Sequence, residues 1–554
     1  MKSRACVQSI AVVTAALTAA LTTAEPLYAW PDAASLPAMP AVTSPAAPDF
    51  PGLPDPLQFF DHAAGSPFGA AVQDGAAWRY QRRPEILDML RHYMYGHEPP
   101  PPTDVTFAVI SVEPGFLDGT ATKKVVRGVY GPPGSRPMVM NLYMPNAVEG
   151  PVPVIAALNA QGNEAIEPGG PRAGRWDLPG TLGAGIALAT AAVDDFAADS
   201  ANRHADALIE PHAEAGFPGN WRTQGAWAWG LSRMVDYLET VPALDPHRIA
   251  VTGFSRRGKA ALWAGALDER IALVGPHQSG AGGPVPNRPG WGNNTGYRNS
   301  FTWWFLPAFN EMPLSDYERL PFDQHFQVAL IAPRRAFFTE NSSSGADFNG
   351  ALAIRVAAQP VWSFLGADAE TGVVLEWDPN STHRHEPYHW AALHATVLSL
   401  PKGGAAGFRE WAVALNLEGA EDPGVATADL ARTDFTADGV RALESFFLGL
   451  DPLALQRATL RLEADADGRF RIRIPTRRDG TGHPGSRYVW RGVEQSLEQA
   501  DNPNGPWIPF LPEELQLFSV ESGDSPTFEW VTLEDRRTAA GSPVFYRLRY
   551  TLEP

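Results

Sequence analysis

Residues 249–260 read Ile-Ala-Val-Thr-Gly-Phe-Ser-Arg-Arg-Gly-Lys-Ala, and this stretch decides the fold. An apolar run ends at Gly253, Ser255 follows two residues later, and an Ala/Leu-rich segment with helical spacing begins directly after it. Strand, tight turn and helix in this order make a nucleophile elbow, which raises a serine above the edge of a sheet. A glycine suits the turn because the backbone is strained and crowded there. The second glycine, Gly258, stands one residue later than in the common Gly-x-Ser-x-Gly form. The elbow predicts a serine hydrolase, with a histidine and an orienting acid further along the chain.

Outward from the elbow, residues 152–158 and 186–193 are short apolar runs of the kind found in buried strands, and residues 221–239 carry helical periodicity. Alternating strands and helices predict an α/β fold, a parallel sheet with helices on both faces. Residues 78–96 read as a helix stopped by Pro99, and residues 105–144 alternate in β fashion. Beyond residue 405 the character changes. Residues 406–455 look helical and polar, and residues 456–554 alternate like strands between Gly/Pro/Asn turns. The expected organisation is therefore a signal peptide at 1–24, a Pro/Ala-rich linker at 25–56, and a catalytic domain at 57–405. A helical connector at 406–455 and a C-terminal all-β module at 456–554 complete it.

The signal reading rests on Lys2 and Arg4, an apolar run over residues 10–21, and small residues up to Ala24. The run is too short to span a bilayer and no later segment is long enough, so the expected location is secreted or periplasmic, with no membrane contact. The sole cysteine, Cys6, lies in that segment, so the exported protein is expected to hold no disulfide. A net charge of −18 over 554 residues argues against nucleic acid as a partner.

In this fold class the histidine comes late, on a loop after a strand. Residues 372–377 form such a strand in the sequence, and His383, His385 and His389 follow it. Their spacing is not that of a zinc-binding His-Glu-x-x-His helix, and Pro387 interrupts the segment, so no metal is expected.

The elbow and residues 260–270 after it (Ala-Ala-Leu-Trp-Ala-Gly-Ala-Leu-Asp-Glu-Arg) resemble the glucuronoyl esterases of carbohydrate esterase family 15, bacterial type, which carry Gly-x-Ser-Arg-x-Gly-Lys at the nucleophile. Further similarities follow in order: Gln278-Ser-Gly-Ala-Gly-Gly283, Ser300-Phe-Thr-Trp-Trp-Phe305, Leu320-Pro-Phe-Asp-Gln-His-Phe326 and Ala329-Leu-Ile-Ala-Pro-Arg334. The resemblance covers roughly residues 57–400. It implies an α/β-hydrolase three-layer sandwich and a serine esterase that cleaves (4-O-methyl)glucuronic acid esters through an acyl-enzyme, without a cofactor. The implied partner is plant cell-wall glucuronoxylan or a similar uronate-bearing polysaccharide, including its esters to lignin alcohols. By position, the resemblance makes Ser255 the nucleophile and Arg256 an oxyanion contact, with Lys259, Gln278 and Trp304 as substrate contacts. Pro387 and Trp390 select His383 as the base by the bacterial pattern, while the fungal His-x-His pattern selects His385.

Two departures stand out. Some members have a glutamate where this chain has Gln278, and others have an acid after the following strand, where residues 340–347 read Glu-Asn-Ser-Ser-Ser-Gly-Ala-Asp. Ser343 stands nearest that second position. Asp347 is taken as the triad acid, with Asp323, Glu340 or no acid at all as alternatives and the N-cap of a helix starting at Phe348 as its structural role. A tryptophan that would stack on the uronate in this loop is also absent. Two alternatives follow: an acetyl- or other sugar-ester hydrolase of the same fold, or a non-catalytic carbohydrate-binding relative. Trp490, Trp507 and Trp530 in the β module could form a sugar platform or a core.

Overall fold

A computed structural model describes residues 30–31, 53–402 and the strands between 461 and 552, with breaks at 149, 218, 292–293, 344, 379–381 and 384–386. The segments expected to be signal peptide and helical connector lie outside the described residues, as do His385 and Trp507.

Nine strands build the central sheet: β1 (Thr106–Phe116), β2 (Ala121–Val129), β3 (Met138–Pro145), β4 (Val152–Asn159), β5 (Ala187–Ala192), β6 (Leu244–Phe254), β7 (Leu273–His277), β8 (Arg335–Glu340) and β9 (Val373–Trp377). Their spatial order is β1-β2-β3-β5-β4-β6-β7-β8-β9. The first four in that order are antiparallel, and everything from β5 to β9 is parallel. Every residue of β4 is buried, as the continuous apolar run at 152–158 requires of a strand covered on both faces.

The alternation along β4 sorts side chains into two cores. Val154, Ala156 and Leu158 pack with Trp227, Leu262 and Trp263 on one face. Ile155 packs with Leu188, Ala250, Leu273, Trp390 and Leu393 on the other. Helices Thr223–Leu238 and Arg256–Leu267 supply the first layer and helix Pro387–Leu398 the second, which makes the three-layer α/β-hydrolase sandwich. Each large side chain buried this way contributes about 1.5–3 kcal/mol.

Trp30 falls in the stretch expected to be a Pro/Ala-rich linker, and it is docked. Its indole N–H donates to Asp88 Oδ2 at 2.8 Å, and its ring lies 5.1 Å from Phe60. Among the described residues no helix is long and apolar enough to cross a membrane. The strands from Arg461–Ala464 to Phe545–Leu552 form two antiparallel sheets, with Trp490 and Trp530 inside strands.

Candidate active site

The carboxyl ends of the parallel strands gather the site, as the topology of open α/β sheets dictates. Ser255 follows β6, Gln278 follows β7, residues 341–347 follow β8, and His383 lies beyond β9. Ser255 holds φ 58° and ψ −123°, a left-handed conformation costly to a side chain and held by its surroundings. Both elbow glycines are there because strand and helix nearly touch. A Cβ on Gly253 would sit 2.5 Å from the Arg257 carbonyl carbon, and one on Gly258 would sit 1.9 Å from Ser279 Oγ. The close approach at Gly258 is why position 258 holds a glycine.

Ser255 Oγ lies 3.0 Å from His383 Nε2. The imidazole packs on Phe254, 4.6 Å between ring centroids. The ring also lies against Gly345, where an added Cβ would come within 2.7 Å of it. Burial, with Lys259 and Arg256 nearby, pulls the His383 pKa down to about 4. The ring is therefore neutral at pH 7. With Nε2 accepting from the serine, the proton sits on Nδ1, which is buried without a hydrogen-bond partner among the described residues. Ser343 Oγ, in the loop that supplies Gly345, is buried without a partner as well.

Among the described residues no carboxylate completes a triad. The structure does not bring Asp347 to His383 Nδ1. Asp347 caps helix Phe348–Ala358, where its Oδ1 accepts from the Gly350 N–H at 2.9 Å. Glu340 is fully buried and accepts the N–H groups of Ser279 (2.6 Å) and Gly280 (3.1 Å), which shapes the glycine-rich loop. Asp323 is held in an ion pair with Arg288 at 2.7 Å. Gln278 is buried, donates through Nε2 to Asp378 Oδ2, and has φ 42°. It therefore faces the interior rather than the cleft.

Residues Arg256, Lys259, Tyr297, Phe301 and Trp304 line a cleft of about 300 Å³ in front of Ser255 and His383. Lys259 Nζ donates to the carbonyls of Ser279 and, at 2.6 Å, Ala281. Burial lowers its pKa while Glu340 works against that shift. The Arg256 guanidinium lies over Phe301 (4.3 Å) and Trp304 (4.8 Å). It pairs with Asp199 Oδ2 at 2.6 Å, while Asp199 Oδ1 accepts from the indoles of Trp303 (3.1 Å) and Trp304 (2.9 Å). Asp199 thus holds Arg256 and the aromatic wall together. Its sequence signal was silent because its partners lie 57 and more than 100 residues away. Gly345 and Ala346 form the wall where a stacking tryptophan was expected.

The three-histidine segment divides by partner. His383 meets Ser255, whereas His389 is buried against the Thr339 hydroxyl (2.8 Å) and stacks on His277 at 3.9 Å. Behind the site, Thr339 Oγ1 also contacts His277 Nδ1 at 2.5 Å.

Comparison with known proteins agrees with this architecture. The family model for fungal glucuronyl esterases matches residues 135–366. Carbohydrate esterase MZ0003, from an unknown prokaryotic organism, is 31% identical over 57% of this chain and 78% of its own length. The 4-O-methyl-glucuronoyl methylesterase of Podospora anserina is 33% identical over 52% of this chain and 55% of that protein. A solved glucuronoyl esterase from Solibacter usitatus superposes with a TM-score of 0.56 and 28% identity, over 66% of this chain and 99% of that one. The protein is a carboxylic ester hydrolase with the α/β-hydrolase fold. Within that class, the chain belongs to the glucuronoyl esterases of carbohydrate esterase family 15.

Proposed function

We propose that this protein is an exported serine esterase that cleaves esters of (4-O-methyl)glucuronic acid in plant-type polysaccharide, including those to lignin alcohols, through an acyl-enzyme. The observation that carries this reading is the 3.0 Å contact between His383 Nε2 and a Ser255 held in the strained elbow. Ser255 Oγ attacks the ester carbonyl carbon as its proton passes to His383 Nε2. The tetrahedral oxyanion is stabilised by Arg256, through its backbone N–H and its guanidinium. Collapse expels the alcohol, which takes the proton back from His383 and leaves the uronoyl group on Ser255. A water molecule deprotonated by His383 then releases the acid. Lys259 and Trp304 bind the uronate, the ammonium serving its hydroxyls and the aromatic wall its ring face. The export reading rests on residues 1–24.

The small residues Gly345 and Ala346 favour a second reading, an esterase for acetylated or otherwise esterified sugars. A panel of benzyl glucuronate, benzyl galacturonate and an aryl acetate separates the two. Preferential turnover of the glucuronate supports the first reading, and turnover of the acetate alone would replace it with the second.

A further inference from the structure

The elbow sends its two arginines to different cavities. Arg256 lines the cleft of Ser255, Lys259 and His383. Arg257 lines a second cavity bordered by Phe254, Asn159, Arg172, Arg175 and Trp176. Its free space is about 30 Å³. That is close to the volume of one water molecule, or of the head of a small anion. The walls are fixed: the Arg175 carbonyl accepts from the Trp390 indole N–H at 3.0 Å, and the Trp176 ring packs 5.6 Å from that of Trp390. The second cavity is therefore anchored to the helix that follows His383.

Three guanidiniums line this cavity and, among the described residues, no acid does. Arg256 has its counter-charge in Asp199. Among the described residues the Arg172 guanidinium donates only to a neutral acceptor, Gln161 Oε1, at 2.9 Å. The Arg257 guanidinium makes no hydrogen bond or ion pair with a described residue, although Asp199 is near enough to act on it electrostatically. Burial together with Arg256, Arg172 and Arg175 presses its pKa down to about 10, against the pull of Asp199. In a protein of net charge −18, such a gathering of positive charge without an acid runs against the overall balance. An anion supplied from outside relieves the mutual repulsion, and guanidinium forks suit carboxylate and sulfate geometry.

We propose that Arg172, Arg175 and Arg257 form an anion subsite beside the nucleophile elbow, which takes a carboxylate or sulfate carried on the alcohol side of the ester. The side rests on the proposed function: Phe254 lines this cavity and packs on His383, so with the uronate in the Lys259 cleft the cavity is assigned to the alcohol side. The preferred substrate is then an ester whose alcohol bears an acidic group, as in a polysaccharide with further uronate or sulfate units.

The test uses three glucuronate esters, of benzyl, 4-carboxybenzyl and 4-sulfobenzyl alcohol, with the full-length protein. The kcat/KM of a charged ester over that of the neutral ester should be about tenfold, as for one charge-assisted contact. Arg257→Gln and Arg175→Gln should each bring this ratio towards one. The larger of the carboxylate and sulfonate ratios identifies the anion. A ratio near one in the unaltered protein, or a high ratio that survives both substitutions, overturns the subsite. If none of the three esters is hydrolysed, the functional reading has failed, and calorimetry with the free alcohols decides the subsite by itself. Tighter binding of 4-carboxybenzyl or 4-sulfobenzyl than of benzyl alcohol, lost in Arg257→Gln, supports it, and equal binding refutes it.

Discussion

His383 is a base with one nitrogen at work and the other stranded. An anion at Nδ1 would fix the tautomer and stabilise the imidazolium, but here Nδ1 is buried without a partner among the described residues. Leaving a buried donor unmatched costs about 1–3 kcal/mol. Orientation comes instead from packing against Phe254 and Gly345. Two expectations belong to this residue. Its pKa of about 4 means that protonation removes the base only in acid. The acid limb of kcat/KM should therefore fall near pH 4 and not near the ordinary histidine value. Ser343→Asp, which puts a carboxylate in the same loop, should move that limb upward because an anion favours the imidazolium; an unmoved limb would place Ser343 away from the base. Asp347→Ala should cost about 1 kcal/mol through loss of the cap, read as a lower midpoint in denaturant, with kcat changed only a few-fold. A drop of about 10⁴ in kcat is the signature of a lost triad acid and would restore Asp347 to that role. From sequence the two roles looked alike, since a helix cap and a triad acid can both be an aspartate on the turn after a strand.

The strand-turn-helix from Leu244–Phe254 to Arg256–Leu267 is the element on which the site depends. Its features were legible in sequence because they are local: the apolar run, the two glycines and the serine all fall between Ile249 and Gly258. Gly258→Ala should be severe. The new Cβ would meet Ser279 Oγ at 1.9 Å and the Gly253 carbonyl oxygen at 2.5 Å. Overpacking of this kind costs about 1–3 kcal/mol or more, and the shift it forces would also displace Ser255. Gly183→Ala is the control, since its Cβ would meet nothing within 4 Å. Thermal unfolding and ester turnover measured on both variants check this: a tolerated Gly258→Ala would mean that helix and loop are less tightly apposed than described. The clamp of Asp199 on Arg256, Trp303 and Trp304 was not legible, because no periodicity or spacing links partners so far apart in the chain.

At the scale of the whole molecule, every residue assigned to the Ser255 cleft falls between Asp199 and His383. The buried strands β4 and β5 were readable from apolar runs, since buried parallel strands leave continuous hydrophobic stretches, whereas their spatial order was not. The docking of Trp30 was not, because one tryptophan in a Pro/Ala-rich stretch carries no pattern. The Solibacter usitatus enzyme matches 66% of this chain over 99% of its own length, so a fold of that extent stands alone there. A chain ending at Lys402 should accordingly hydrolyse a small soluble glucuronate ester with kcat/KM within about threefold of the full chain; a larger loss would show that the C-terminal strands support the site. The central claim is that Ser255 and His383 act as one unit on a uronate ester. It is tested most directly by kcat/KM on benzyl glucuronate for the unaltered protein, Ser255→Ala and His383→Ala side by side. Both variants should fall to a common floor, roughly 10³-fold or more below the unaltered protein, because members of a unit fail together. Retention of more than about a tenth of the activity by either one would contradict the account.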